Sequence, residues 1–199
     1  EVSVQGRREV LLGKGKFGIF GDGKELPQVV MSHFFKDGDY RSGYYRDQTL
    51  LMSQNLLSAR EIFAAVYGHP DKLYEKMSGG RQMAGHFLTN TIDENNNWID
   101  QTSQKNHISD ISPTASQMSR LVGLGLASKI YRNNSINGSE KFSKNGNEVV
   151  WGTIGNASTS QGIFFEAVNA CGVLQVPTII SVWDDEYGIS VHNLSLIHI

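Results

Sequence analysis

A chain of 199 residues with 39% hydrophobic and 19% charged residues, 21 glycines and only four prolines can bury a sizeable core, which speaks against a disordered or fibrous protein. Its formal net charge of -2 comes with no basic patch and no polybasic segment, so neither nucleic acid nor a membrane surface is expected as a partner. Cys171 is the only cysteine, which rules out an intrachain disulfide and a cysteine-rich zinc site; with no signal-like leader and no long apolar run, the expected setting is reducing and cytoplasmic.

In chain order, residues 7–12 are short and ambiguous. The glycine-punctuated stretch 13–23 resembles a P-loop only superficially, because the Gly-Lys-Ser/Thr ending is absent. Residues 25–35 predict a helix and 36–39 a turn. Ser58 and Glu61 have capping-box spacing, so a helix should begin at Ser58 and stop near Gly68. Residues 68–110 are polar and hold few periodic apolar positions; that is too long for an idle connection and predicts a functional or partner-held segment. Residues 114–132 have helical spacing, with Met118, Leu121, Val122, Gly125 and Ile130 on the apolar positions. Gly123 and Gly125 would each cost about 1 kcal/mol inside that helix, which predicts close approach of another helix or subunit.

After a second polar loop, 133–147, comes the clearest unit. Residues 148–154 read as a strand, 155–160 as a turn and 161–174 as a helix with Ile163, Phe164, Ala167, Val168 and Cys171 on one face. Pro177 stops the helix, and 178–183 read as a strand buried on both faces. A βαβ unit of this kind implies an α/β fold with a parallel sheet flanked by helices. Residues 194–199 resemble a translated sequencing-adaptor end, so 1–193 is taken as the native domain and 194–199 as a non-native tail.

Ligands of such sheets sit beyond the carboxyl ends of the strands. Two loops fall there, Gly155-Asn156-Ala157-Ser158 and Asp184-Asp185-Glu186-Tyr187. Asn156 and Asp185 are separated by the length of a turn, a helix and a strand, so adjacent parallel strands would bring them together. Magnesium wants such hard oxygen donors, completed by phosphate and water. The plainer alternative is that Asn156 makes an Asx turn and the aspartates solvate a loop.

These two loops, running from Gly155 to Gly162 and closing at Asp184 to Ser190, resemble the thiamine diphosphate signature of 2-oxoacid dehydrogenase alpha chains. That signature usually opens with Gly-Asp-Gly or Gly-Glu-Gly and closes with Asn-Asn. Here the acid has become Asn156 and the closing Asn has become Asp185, a complementary exchange that keeps one negative charge and two side-chain oxygens. Three further segments follow the family order. Tyr44-Tyr45-Arg46-Asp47 resembles the Tyr-Arg-Asp element that meets the cofactor diphosphate, a role suited to a guanidinium fork. Gly80-Arg81-Gln82-Met83 with His86 resembles the branched-chain alpha chains, in which that histidine lies near the reacting carbon. Ser112-Pro113-Thr114-Ala115-Ser116-Gln117 resembles the element that cradles the pyrimidine and, in some relatives, a monovalent cation. Thr114 replaces a larger apolar residue, which weakens the expected wedge, and Trp183 stands where relatives often have a diphosphate-binding arginine.

The resemblance implies a thiamine diphosphate-binding fold, incomplete at the C-terminus, in the alpha chain of a heterotetrameric complex. Magnesium would rest on Asn156, Asp185 and the Tyr187 carbonyl. Tyr45, Arg46, Ser112, Thr114, Gly155, Ala157 and Ser158 would contact the cofactor, and His86 would orient a substrate carboxylate or move a proton. The implied reaction is oxidative decarboxylation of a 2-oxoacid, branched-chain by the Gly-Arg-Gln-Met element, with the acyl group passing to a lipoyl-bearing acyltransferase. The glutamate that activates the pyrimidine would come from a beta-type subunit or a beta-like C-terminal half, and the fragment alone should turn over nothing. Three alternatives stay open: a pyruvate or acetoin enzyme, a non-catalytic assembly relative, and a Rossmann module, the last disfavoured because no Gly-x-Gly-x-x-Gly follows Ile154. His33, His69 and His107 are read as structural or solvated.

Overall fold

The computed structural model describes residues 1–82 and 85–197, and the chain divides into two compact units. The first comprises residues 1–34 and 45–87, the second residues 35–44 and the rest from 88 onward.

The first unit is helical. It contains α1 (Val2–Leu11), α2 (Glu25–Phe34), α3 (Gln48–Ser53) and α4 (Ala59–Val66). The expected capping box is present: the Ser58 hydroxyl accepts from the Glu61 N–H, and the Glu61 carboxylate accepts from the Ser58 N–H at 2.8 Å. Leu51, Leu57 and Ile62 form its core, with Val2, Phe20, Met52, Met77 and Phe87 packed against them. Helix α1 includes the stretch that was ambiguous in sequence. Its Gly6 lies beneath the Phe20 ring, so it is the packing rather than the helix propensity that fixes it.

The second unit carries the sheet. Strands β1 (Tyr40–Ser42), β2 (Asn106–Ile108), β3 (Val150–Gly155) and β4 (Thr178–Trp183) pair in the order β2-β1-β3-β4, all parallel. Helix α5 (Gln117–Asn133) and helix α6 (Gly162–Leu174) both pack on the sheet, and both also contact each other. The core is Tyr40, Met118, Leu121, Val150, Ile154 and Ala167 together with Ala115. Beyond the sheet, β5 (Tyr187–Gly188) and β6 (Val191–His192) make an antiparallel hairpin followed by α7 (Asn193–Ile197), so the described part of the expected tail lies in a short helix.

Four expectations change. Helix α5 starts at Gln117 rather than at 114, because Pro113 to Ser116 turn, with Ala115 at φ 63°. Gly125 does meet a close neighbour, but that neighbour is the segment leading into β4: a Cβ there would come within 2.9 Å of Val176 and Thr178, whereas Gly123 faces open space. Val168 is 42% exposed, so the buried face of α6 narrows to Ala167 with Ile163 and Phe164. Strand β4 is not buried on both faces. It is one of the two edge strands of the sheet among the described residues, and its Ile179 and Val182 are more than 40% exposed.

The polar residues inside the sheet account for the strands the sequence hid. Arg41 is fully buried and donates to His107 Nδ1 at 2.7 Å and to Asp110 at 2.6 Å. Burial, then Arg41 and Lys105, pushes the His107 pKa well below the ordinary imidazole range. His107 is therefore structural, as its sequence context suggested. No helix among the described residues is long and apolar enough to cross a membrane.

Candidate functional site

In the second unit every loop of interest leaves the same end of the sheet. Strands β1, β2, β3 and β4 are parallel, so 43–44, 109–116, 155–160 and 184–187 all emerge at their carboxyl ends. The chain runs from β1 to β2 on one side and to β3 on the other, so the ends of β1 and β3 are the topological switch point where such sheets bind ligands. The Tyr44 hydroxyl lies against Gly155 there, 3.4 Å from where a Cβ would stand. Tyr44, one position before the tyrosine favoured from sequence, thus stands beside Gly155 at the carboxyl edge of the sheet, a placement that sequence reasoning passed over.

Gly155 and Trp183 are register partners at the last rung of the β3–β4 ladder. The two loops expected to converge therefore begin side by side rather than at opposite edges. A short 3-10 turn carries Asn156, Ala157 and Ser158. It is braced by Thr159, whose hydroxyl donates to the Asn156 carbonyl at 2.6 Å, and by Ser160, which donates to the Ala157 carbonyl at 2.8 Å. Asn156 Nδ2 donates to the Tyr187 carbonyl at 3.2 Å and to Asn193 Oδ1. Asn193 in turn donates to Asp184 at 2.8 Å, and Asp184 also accepts from the Glu186 N–H at 2.8 Å. Two of the three groups assigned to a metal, Asn156 and the Tyr187 carbonyl, are thus in contact, and half-buried Asp185 lies in the same loop. Sequence reasoning missed Asn193 and Asp184. The signal was faint: an Asp and an Asn nine positions apart, joined only because the β5–β6 hairpin folds back.

Among the described residues no three His, Cys, Asp or Glu side chains cluster as a metal centre. An ion at this edge would rest on an amide, a backbone carbonyl and a carboxylate, the all-oxygen set that suits magnesium. The Asn156 amide can serve, because turning it end for end presents Oδ1 where Nδ2 now points, beside the Tyr187 carbonyl and Asn193 Oδ1.

Ser112 and Thr114 are exposed in the loop ahead of α5, which is fastened by the Ile111 N–H donating to the Gly43 carbonyl at 3.3 Å. Buried Ala115 takes a left-handed backbone there. That conformation is costly for a residue with a Cβ and clusters at functional sites.

In the first unit, Tyr45 and His86 meet. Their ring centroids lie 6.4 Å apart, bringing the Tyr-Arg-Asp element and the histidine of the Gly-Arg-Gln element together. The backbone at Arg46 is clamped, since fully buried Gln28 donates to the Arg46 carbonyl at 3.0 Å and accepts from the Leu50 N–H at 3.0 Å. The loop before His86 is organised by Glu75, which sequence reasoning did not single out. This buried carboxylate accepts from the N–H groups of Met77, Ser78 and Gly80 and from the Ser78 hydroxyl, all at 2.7–2.9 Å. Burial works against its charge, yet the Gly80 N–H and the other donors outweigh it and hold the carboxyl below its ordinary range. Gly80 turns there at φ 75°, close against the Gly68 carbonyl, where a side chain would be strained. Met83 of the Gly-Arg-Gln-Met element lies outside the described residues.

The family model described as Dehydrogenase E1 component matches residues 11–195. The chain belongs to that family. It is 28% identical over 181 residues to the 2-oxoisovalerate dehydrogenase subunit alpha of Bacillus subtilis (strain 168), an alignment covering 90% of this chain and 46% of the relative. The chain thus spans about half the length of the curated relative it matches. The parallel sheet with flanking helices is the α/β architecture expected of this dehydrogenase family, and the four resemblance motifs all fall inside the matched region.

Proposed function

We propose that this chain is the alpha-type part of a thiamine diphosphate-dependent 2-oxoacid dehydrogenase, cytoplasmic and acting on a branched-chain 2-oxoacid. The observation that carries the reading is the meeting of Asn156 with the Tyr187 carbonyl at the carboxyl ends of two adjacent parallel strands. The family and the named relative support the reaction class.

In this reading Asn156, Asp185 and the Tyr187 carbonyl hold magnesium, and Gly155, Ala157 and Ser158 form the turn beside it. Arg46 and Tyr45 bind diphosphate oxygens, while Ser112 and Thr114 line the pyrimidine and can take a monovalent cation. Thiamine diphosphate supplies the electron sink that makes loss of carbon dioxide accessible. His86, set by its packing on Tyr45, orients the substrate carboxylate or carries a proton at an imidazole nitrogen. A beta-type subunit or beta-like half completes the site with a carboxyl group, and the acyl product passes to a lipoyl-bearing acyltransferase in a heterotetrameric complex.

Calorimetric titration of the chain assembled with its beta-type part tests this. The expected result is magnesium-dependent uptake of thiamine diphosphate, weakened roughly 10–100-fold in Asn156→Ala or Asp185→Ala. Tight assembly without cofactor uptake would identify a non-catalytic relative instead. A kinetic comparison of branched-chain 2-oxoacids with pyruvate and acetoin then fixes the substrate.

A further inference from the structure

Ser42, the last residue of β1, is fully buried, and its hydroxyl is used twice. It donates to the Gln117 carbonyl at 2.7 Å and accepts from Arg120 Nε at 3.0 Å. The side chain of Gln117 donates to the Thr153 carbonyl in β3 at 2.9 Å. At the other end of the loop, the Ile111 N–H holds the Gly43 carbonyl. These bonds tie the start of loop 111–116, and the first turn of the helix that follows it, to the ends of the two central strands.

Arg120 is the charged member of this group, and it sits there at a cost. One terminal guanidinium nitrogen is enclosed with no acceptor. Burial lowers its pKa, Arg41 adds to that, and only Asp110 opposes. A neutral side chain of the same length would fill the space without an unsatisfied donor. Buried polar groups that break this rule call for a reason beyond packing. The loop above it provides one, because Ala115 is held in left-handed backbone and needs surroundings that over-determine it.

We infer that Arg120 is a positioning residue: acting through Ser42, it fixes loop 111–116 in the shape that presents Ser112 and Thr114 at the carboxyl edge of the sheet. Its consequence for the cofactor rests on the function proposed above; its action on the loop does not.

Hydrogen exchange on the assembled protein tests the loop directly. In Arg120→Met, which keeps reach and loses the donor, the amides of Ile111, Ser116 and Met118 should exchange about tenfold faster, while those of the β3–β4 ladder stay unchanged. The dissociation constant for thiamine diphosphate should rise roughly tenfold with kcat at saturating cofactor retained, and Arg120→Lys should recover part of both. Should Arg120→Met not fold, Arg120→Gln, which also loses the bond to Ser42 but leaves that hydroxyl on the Gln117 carbonyl, is read in the same way. Unchanged loop exchange, or a uniform rise across the whole sheet, overturns the inference. If the unaltered protein takes up no thiamine diphosphate, the proposed function fails, and the exchange data still decide whether Arg120 sets the loop.

Discussion

Residues 150–183 and residues 68–110 achieve order by opposite means. The first stretch is built on a backbone ladder, six register pairs between β3 and β4, with apolar side chains at regular spacing against α5. The second has little regular structure and is ordered by carboxylates that collect backbone N–H groups. Glu75 does this for the loop at 77–80, Asp93 for Asn95 and Asn97, and Asp100 for Thr102. Apolar periodicity is visible in a sequence; a carboxylate that has captured its own downstream amides looks like any solvated acid.

The largest effect should come from the ladder region. Leu121 is fully buried, and Leu121→Ala should cost about 3 kcal/mol in urea unfolding. A Cβ on Gly152 would come within 2.5 Å of Leu121 Cδ2, so Gly152→Ala should destabilise as well, and Leu121→Ala in the same chain should relieve part of that strain. Simple additivity of the two losses would show that these positions do not share one packing contact.

In the carboxylate-ordered region, Glu75→Gln should cost about 2–3 kcal/mol, because four donors lose an ionised acceptor. The folded pKa of Glu75 lies below its unfolded value, so its stabilisation is complete above that unfolded value, the ordinary glutamate range, and fades as pH falls through the folded value. Acid unfolding curves should show this slope in the unaltered protein and a smaller one in Glu75→Gln. Identical curves would mean that the buried carboxylate does not order its loop. The smallest effect is expected at the capping box, where Ser58→Ala should cost about 1 kcal/mol and leave the rest of the unfolding transition unchanged.

Helix α4, helix α6 with its flanking strands, and the shared edge of Asn156 and the 184–187 loop could be read from the sequence because each depends on a local pattern: a cap, a period, or a strand-helix-strand length. Strands β1 and β2 could not. Each is three residues long, and where a reader looks for apolar alternation they place Arg41, Asn106 and His107, whose side chains bond to partners more than 60 positions away, to loop carbonyls and, for Asn106, to the Gln104 amide. Asn193 and Arg120 were hidden for the same reason, since their roles are set by tertiary neighbours. Glu75 was hidden differently: its partners are its own downstream amides, and no local pattern marks a carboxylate that has captured them.

The amide at Asn156 carries one more implication. A glutamate or aspartate in that place can only accept, and opposite the Tyr187 carbonyl and Asn193 Oδ1 it would set oxygen against oxygen unless a positive ion lay between them. An asparagine is ambidextrous: its nitrogen already clasps both oxygens, and its other end can face an ion. With the acid on the neighbouring loop, Asn156 therefore holds the Tyr187 carbonyl and the Asn193 amide together without a charge between them, so the pairing of the two loops does not wait for an ion.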